Sequence, residues 1–224
     1  MIELWIRRMK SVNEKILSST LKEYLSLIIG KDIESINTND LNGIKTLALK
    51  KRNFNDEETD CNISDLIELK NLTSCTLCDF DIDNDAIENI NKIEKLDFIH
   101  FDFCNVTTEN MELNLNIEDA CFNMCNGLTF KKMQNTKLIT IELIGSEEEM
   151  PEIDISELVK ADNLKELSIH NYTIKNVDKI IEIAPELESL NIDGSIVDKE
   201  KLENIKDKIE VSHKEKFYLG EDLI

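Results

Sequence analysis

Between Leu158 and Val197 the chain repeats itself. Leu158, Ala161, Leu164, Leu167, Ile169, Tyr172 and Ile174 each have a counterpart 23 residues later, at Ile181, Ala184, Leu187, Leu190, Ile192, Ser195 and Val197. Only Ser195 breaks the apolar match, and the two copies abut without a gap. A segment this short cannot bury its own apolar face, so successive copies must stack and share one continuous core. No other property of the sequence restricts the fold as much.

The spacing, L-x-x-L-x-x-L-x-x-L-x-L, is of leucine-rich repeat type, and it can be traced through most of the chain. Leu41, Ile44, Leu47 and Leu49 follow it first. Ile63, Leu66, Leu69, Leu72, Cys75, Leu77, Phe80 and Ile82 make a second copy. Ile90, Ile93, Leu96, Phe98, Phe101 and Phe103 are read as a third, displaced by 21 residues. Ile117, Ala120, Phe122 and Cys125 belong to a fourth, and Met133, Thr136, Ile139, Ile141 and Ile144 to a fifth. Acidic stretches at 56–60 and 145–151 interrupt the period as inserted loops. Leu202, Ile205, Ile209 and Val211 form a last, degraded copy.

In each L-x-L pair, strand alternation sends both apolar side chains to one side and the intervening residue to the other. Stacked copies then build a parallel sheet, and segments such as 83–91 and 177–183 return as α- or 3-10 helix. We therefore expect an α/β leucine-rich repeat solenoid, with a curved parallel sheet on the concave face and short helices or 3-10 turns on the convex face. Ser11 and Glu14 have capping-box spacing. Ile16, Leu17, Leu21, Tyr24, Leu25 and Ile28 recur along one helical face that ends at Gly30. The expected domains are a helical cap over 1–32, a solenoid over 33–212 and a C-terminal cap over 213–224, where Phe217, Tyr218 and Leu219 cover the last layer. A partner-binding N-terminal helix is the rival reading.

The stretch from Lys22 through Gly30 and Lys31, the segment Asp40, Leu41, Gly43, Ile44, Leu47, Leu49, and the copy beginning at Ile63 resemble the start of bacterial internalin-type leucine-rich repeat proteins. The resemblance covers about residues 15–211 and implies a protein-binding role. Two departures stand out. No export signal is visible, and the asparagine usual after each strand is mostly replaced, with Phe80, Phe101 and Tyr172 assigned there. Aromatic stacking along that turn is the expected substitute for an asparagine ladder.

With 46 acidic and 26 basic residues the net charge is −20. Such a field repels nucleic acid and anionic lipid and attracts basic partners, although solubility alone would also account for it. The Met1–Lys10 stretch lacks an unbroken apolar signal core, and no apolar run reaches membrane-span length. The six cysteines, at 61, 75, 78, 104, 121 and 125, are accordingly read as free thiols of a cytoplasmic protein. Asn-x-Ser/Thr triplets at Asn62, Asn71, Asn105 and Asn171 then carry no glycan.

Few motifs suggest chemistry. Cys75 and Cys78 have C-x-x-C spacing, but on a strand they face opposite sides and cannot converge on one metal. Asp79, Asp81, Asp83 and Asp85 alternate as in a calcium loop, yet Asn84 and Ile90 stand where an EF-hand needs glycine and glutamate. His170 is expected beside Glu142, an acid–base pair without a nucleophile. His100 and His213 have no such neighbour by sequence. Walker A, G-x-G-x-x-G and H-E-x-x-H motifs are absent. We expect no enzyme activity, no cofactor and no metal.

The register places one concave column at Ala48, Thr76, Asp97, Cys121, Thr140, Ser168, Asn191 and Glu210. The next reads Lys50, Cys78, Ile99, Asn123, Glu142, His170, Asp193 and Ser212. Asp97, Ile99, Cys121, Asn123, Glu142, Ser168, His170, Asn191 and Asp193 are the candidate partner-binding residues, with Ile99 as the apolar anchor. Three functions remain open. One is a non-catalytic adaptor binding a protein through the concave face. Another is an acidic inhibitor, of immunity or anti-defence (anti-CRISPR-like) type, that offers carboxylates in place of phosphate to a basic nucleic-acid-handling protein. The third is a hydrolase or thiol enzyme built on His170 or Cys78. The expected partner is a protein with a basic surface, with no direct nucleic-acid or membrane binding. The partner's identity and the oligomeric state are not encoded in these patterns.

Overall fold

The computed structural model describes residues 17–51, 62–113, 116–133, 137–158 and 161–214. The Ser11 and Glu14 cap, Ile16, the acidic stretch 56–60, Thr136 and the aromatic cover at 217–219 lie outside them.

The first described helix, α1 (Ser19–Ile29), is capped by the Ser18 side chain, which accepts the Leu21 N–H, and it ends on Gly30 at φ 70°. Leu21 and Leu25 are buried, but Tyr24 and Ile28 are exposed, so the inward stripe is narrower than its spacing suggested. The Ser18 N–H also donates to Asp65 Oδ2 at 2.8 Å, fastening the helix start to the 3-10 segment Ile63–Glu68.

The described strands are β1 (Thr46–Lys50), β2 (Ser74–Cys78), β3 (Asp81–Ile82), β4 (Phe98–Asp102), β5 (Asn105–Val106), β6 (Asp119–Asn123), β7 (Thr140–Ile144), β8 (Glu152–Asp154), β9 (Glu166–His170), β10 (Thr173–Lys175), β11 (Ser189–Asn191), β12 (Ile196–Val197) and β13 (Glu210–Ser212). Eight form one parallel sheet in the order β1-β2-β4-β6-β7-β9-β11-β13. Two smaller parallel sheets, β3-β5 and β8-β10-β12, run beside it where the chain leaves the main strands. Parallel neighbours require crossovers. Here α2 (Thr38–Asn42) precedes β1, and the crossovers include α3 (Asn84–Ile90), α4 (Ile180–Ile183), α5 (Lys199–Lys206) and 3-10 turns such as Phe130–Met133 and Val177–Lys179. The result is a repeating pattern of parallel strands interleaved with short helices, like that of leucine-rich repeat proteins.

The template is followed most closely where its spacing was unambiguous. Ile63, Leu66, Leu69, Leu72, Cys75, Leu77, Phe80 and Ile82 are all buried, as are Leu158, Ala161, Leu164, Leu167, Ile169, Tyr172 and Ile174. The third copy differs. Cys75 pairs with Ile99 and Leu77 with Phe101, a displacement of 24 residues rather than 21. Phe98 and Phe103 therefore leave the core, and Ile99 enters it. The fifth copy slips as well, since Leu138, Ile141 and Leu143 hold the inward positions in place of Ile139 and Ile144. The Phe101 and Phe122 rings stack across β4 and β6, 5.0 Å apart and 14° from parallel.

That stack lies inside the sheet, not along the turn where aromatic stacking was expected. The turn position, three residues after the last inward strand residue, is held by Phe80, Cys104, Cys125, Tyr172 and Ser195. Cys104 Sγ donates to the Leu77 carbonyl at 3.2 Å, Cys125 Sγ to the Phe101 carbonyl at 3.4 Å, and Ser195 Oγ to the Ile169 carbonyl at 2.8 Å. Thiols and a hydroxyl thus reach back to the preceding repeat, satisfying carbonyls that would otherwise be buried unpaired.

Candidate functional site

One face of the eight-stranded sheet packs on the core and the other faces outward. Pairing aligns the outward side chains in rows. The central row reads Ala48, Thr76, His100, Cys121, Glu142, Ser168, Asn191 and Ser212. The row toward the strand C-termini reads Lys50, Cys78, Asp102, Asn123, Ile144 and His170. Apart from Ile144, the side chains are small or polar and mostly half-buried, because neighbours in a parallel row stand about 4.8 Å apart and shade one another.

Cys121, Glu142, Ser168 and Asn191 occupy four successive positions of the central row. Asn123 and His170 flank them in the next row, and Asp193 lies just beyond β11. Asp97 precedes β4, where its carbonyl accepts the Glu118 and Asp119 N–H groups at 2.9 and 3.1 Å. Ile99 must be corrected. It is fully buried between Cys75 and Ala120 in register, and so cannot anchor a partner. His100 and Asp102 take the outward places instead. Spacing alone hides them, because Phe98, Phe101 and Phe103 allow two registers and a displacement of 21 residues fits the apolar pattern.

His170 Nδ1 lies 3.3 Å from the Asp193 carbonyl, and Nε2 lies 3.9 Å from Glu142 Oε1. The expected pairing with Glu142 is therefore present, at a distance longer than a direct hydrogen bond. Asn123 Nδ2 donates to Asp102 Oδ1 at 2.6 Å. His100 Nε2 is enclosed and has no hydrogen-bond partner. At the far end Asp193 accepts from the Ser212 hydroxyl and the Lys214 N–H.

The thiols on this face are held protonated. Burial, then the charges of Asp79 and Asp102, push Cys78 up to about 11. Burial and Glu142 push Cys121 up to about 12. A nucleophilic cysteine needs the opposite environment, an electropositive one that lowers its pKa. Cys75 points inward and Cys78 outward, as strand alternation requires. The alternating carboxylates after β2 also diverge. Asp79 faces Lys50 at 3.6 Å, Asp81 faces Lys51 at 2.8 Å, and Asp83 caps α3. Among the described residues no group of three or more His, Cys, Asp or Glu side chains is placed to hold a metal ion. Among the described residues, too, no helix is long and apolar enough to cross a membrane.

No family model matches the sequence, and no curated protein does. A solved internalin has a similar fold. It is the inlF internalin of Listeria monocytogenes strain 4b F2365, with a TM-score of 0.55 at 16% sequence identity. The match covers 89% of this chain and 56% of the internalin, so the chain spans little more than half of that structure's length. At this identity the likeness is one of fold alone. It agrees with the repeat architecture described above.

Proposed function

We propose that this chain is a non-catalytic protein-binding module that engages its partner through the outward face of the main sheet. In this reading the sheet is the concave lining of a leucine-rich repeat solenoid over 33–212, closed by an N-terminal helical cap over 1–32 and a C-terminal cap over 213–224. The observation that carries the proposal is the central row from Thr76 to Ser212, an unbroken strip of small polar side chains across seven paired strands with no activated nucleophile beside it. The internalin-like fold supports it. The chain acts in the cytoplasm and recognises a protein with a basic surface, without itself touching nucleic acid or membrane.

The test is affinity capture from the native cell followed by mass spectrometry, with the wild type beside a Glu142→Arg/Ser168→Arg variant. A partner retained by the wild type and lost from the variant supports the reading. An identical set of retained proteins overturns it. The net charge of −20 favours a second reading, an inhibitor that mimics phosphate charge. Its affinity for a captured partner falls steeply as salt approaches physiological strength, because exposed charge attraction is screened. An affinity unchanged by salt removes that alternative.

A further inference from the structure

The outward rows end at a set of corners where the chain turns away from the sheet. The first residue of each corner donates its N–H to the last residue of the next strand. Asp79 bonds to the Asp102 carbonyl at 3.0 Å, Phe103 to Asn123 at 2.9 Å, Met124 to Ile144 at 2.7 Å and Gly145 to His170 at 2.8 Å. Three of these four residues lie in the left-handed region, at φ 62° for Asp79, 51° for Phe103 and 50° for Met124, whereas Gly145 makes the same bond without it. Aspartate tolerates that region. Phenylalanine and methionine are costly there, and the cost recurs in two adjacent repeats. Burial compensates them only in part, since Phe103 is 53% and Met124 37% exposed. Large apolar groups held in strained backbone and left in water have no role in stability that a smaller residue would not fill better.

We infer that Phe103 and Met124 form the apolar anchor of the partner-binding surface, and that they receive an apolar side chain flanked by basic residues on a polypeptide. The inference rests on the protein-binding reading above and names the chemistry of the partner. Charge selects the occupant. The corners 102–110, 123–127 and 145–150 carry Asp102, Glu109, Glu147, Glu148 and Glu149 and contribute no lysine or arginine of their own, although Lys132 reaches in to donate to the Val106 carbonyl at 2.9 Å. These mostly acidic corner segments repel an anionic lipid surface and a second copy of this chain, itself at −20, and attract a lysine- or arginine-bearing segment. Apolar anchors set affinity and the acidic segments set encounter and selectivity, so both parts of the partner's chemistry are specified.

The test uses three labelled model peptides and fluorescence anisotropy on the full chain. One is a lysine–serine peptide with a central Leu-Trp pair. Another replaces that pair with Ser-Ser, and the third keeps Leu-Trp but exchanges lysine for glutamate. The wild type is expected to bind the first about tenfold more tightly than the second, the scale of one good apolar anchor, and the third not at all. A Phe103→Asn/Met124→Asn variant keeps a residue type that accepts left-handed backbone, and its fold is checked by circular dichroism. It is expected to lose the Leu-Trp preference and to bind the Ser-Ser peptide as the wild type does. A variant that keeps the preference, a wild type that shows none, or equal binding of the glutamate peptide overturns the inference. If the Glu142→Arg/Ser168→Arg variant loses a captured partner while the corner variant keeps both that partner and the peptide preference, the corner inference fails and the sheet-face reading stands. If the peptide preference is lost only at the corner and the face variant captures an unchanged set, the sheet-face reading fails instead.

Discussion

At Ile99 the side chain is fully enclosed, while the adjacent His100 stands half-buried on the outward face, its Nε2 shielded and without a hydrogen-bond partner. Truncation should separate them sharply. Ile99→Ala is expected to cost about 2–5 kcal/mol in urea unfolding, the range for a large aliphatic cut from a packed core. His100→Ala should cost less than about 1 kcal/mol, since no hydrogen bond to Nε2 is lost. Equal costs would contradict the register of β4. The corner at Phe103 leads to a prediction of opposite sign. Left-handed backbone costs an ordinary residue about 1–2 kcal/mol. Phe103 is more than half exposed, so Phe103→Asn gives up little burial and is expected to leave stability unchanged or raise it by up to about 1 kcal/mol. Unfolding midpoints of the two proteins decide the matter.

Among the elements, β13 pairs with β11 through the backbone and is tied further by one carboxylate. Asp193 accepts the Ser212 hydroxyl at 3.0 Å and the Lys214 N–H at 2.7 Å, tying the last described strand to the end of β11. Burial acts to raise its pKa. The Lys214 N–H, the Ser212 hydroxyl and the Lys214 charge outweigh that and hold the carboxyl below its ordinary value. A folded-state pKa lowered in this way contributes stability above the unfolded pKa, about 3.9, and loses it as pH falls through the lower folded value. Asp193→Asn should therefore melt below the wild type at pH 7, with the gap closing as the pH is lowered beneath that of a free aspartate. Thermal melts across acid pH would show this, and a gap independent of pH would sink the assignment. A second tie joins the crossover side. Asn176, in left-handed backbone, donates to both Asp154 oxygens at 2.9 and 3.1 Å and accepts from Lys201 at 3.0 Å, linking β8, the β10 corner and α5.

Over the whole molecule, stacking leaves each repeat in contact mainly with its neighbours, so stability accumulates along the array. The net charge of −20 acts against this at every step. Many surface ion pairs are present, such as Lys175–Glu152 at 2.6 Å and Lys165–Glu188 at 3.1 Å, but exposed pairs contribute little. Raising salt from about 10 mM to about 150 mM shortens the screening length from about 30 Å to about 8 Å and should relieve the repulsion more than it weakens the pairs. The expected rise in melting temperature is about 2–4 °C, equivalent to about 1 kcal/mol at this size. A falling melting temperature in the same series would show that the pairs, not the repulsion, dominate.

The repeat, the inward pattern wherever apolar spacing allows one reading, and the opposite orientations of Cys75 and Cys78 depend on local periodicity alone and are legible in the chain. The registers of β4 and β7 depend instead on contacts between repeats. At Phe98, Phe101 and Phe103 two registers bury phenylalanine equally well on paper, and parallel pairing with β2 together with the Phe101–Phe122 stack selects one. Because a strand alternates every residue, the three-residue slip exchanged the two faces of β4, sending Ile99 inward and His100 and Asp102 outward. The two-residue slip in β7 left Glu142 on its face and moved only its row. The thiol ladder at Cys104 and Cys125 and the strained corner at Phe103 and Met124 were likewise out of reach of periodicity. The thiols bond to carbonyls of the preceding repeat and the corner N–H groups to carbonyls of the next, contacts between repeats that local spacing does not encode.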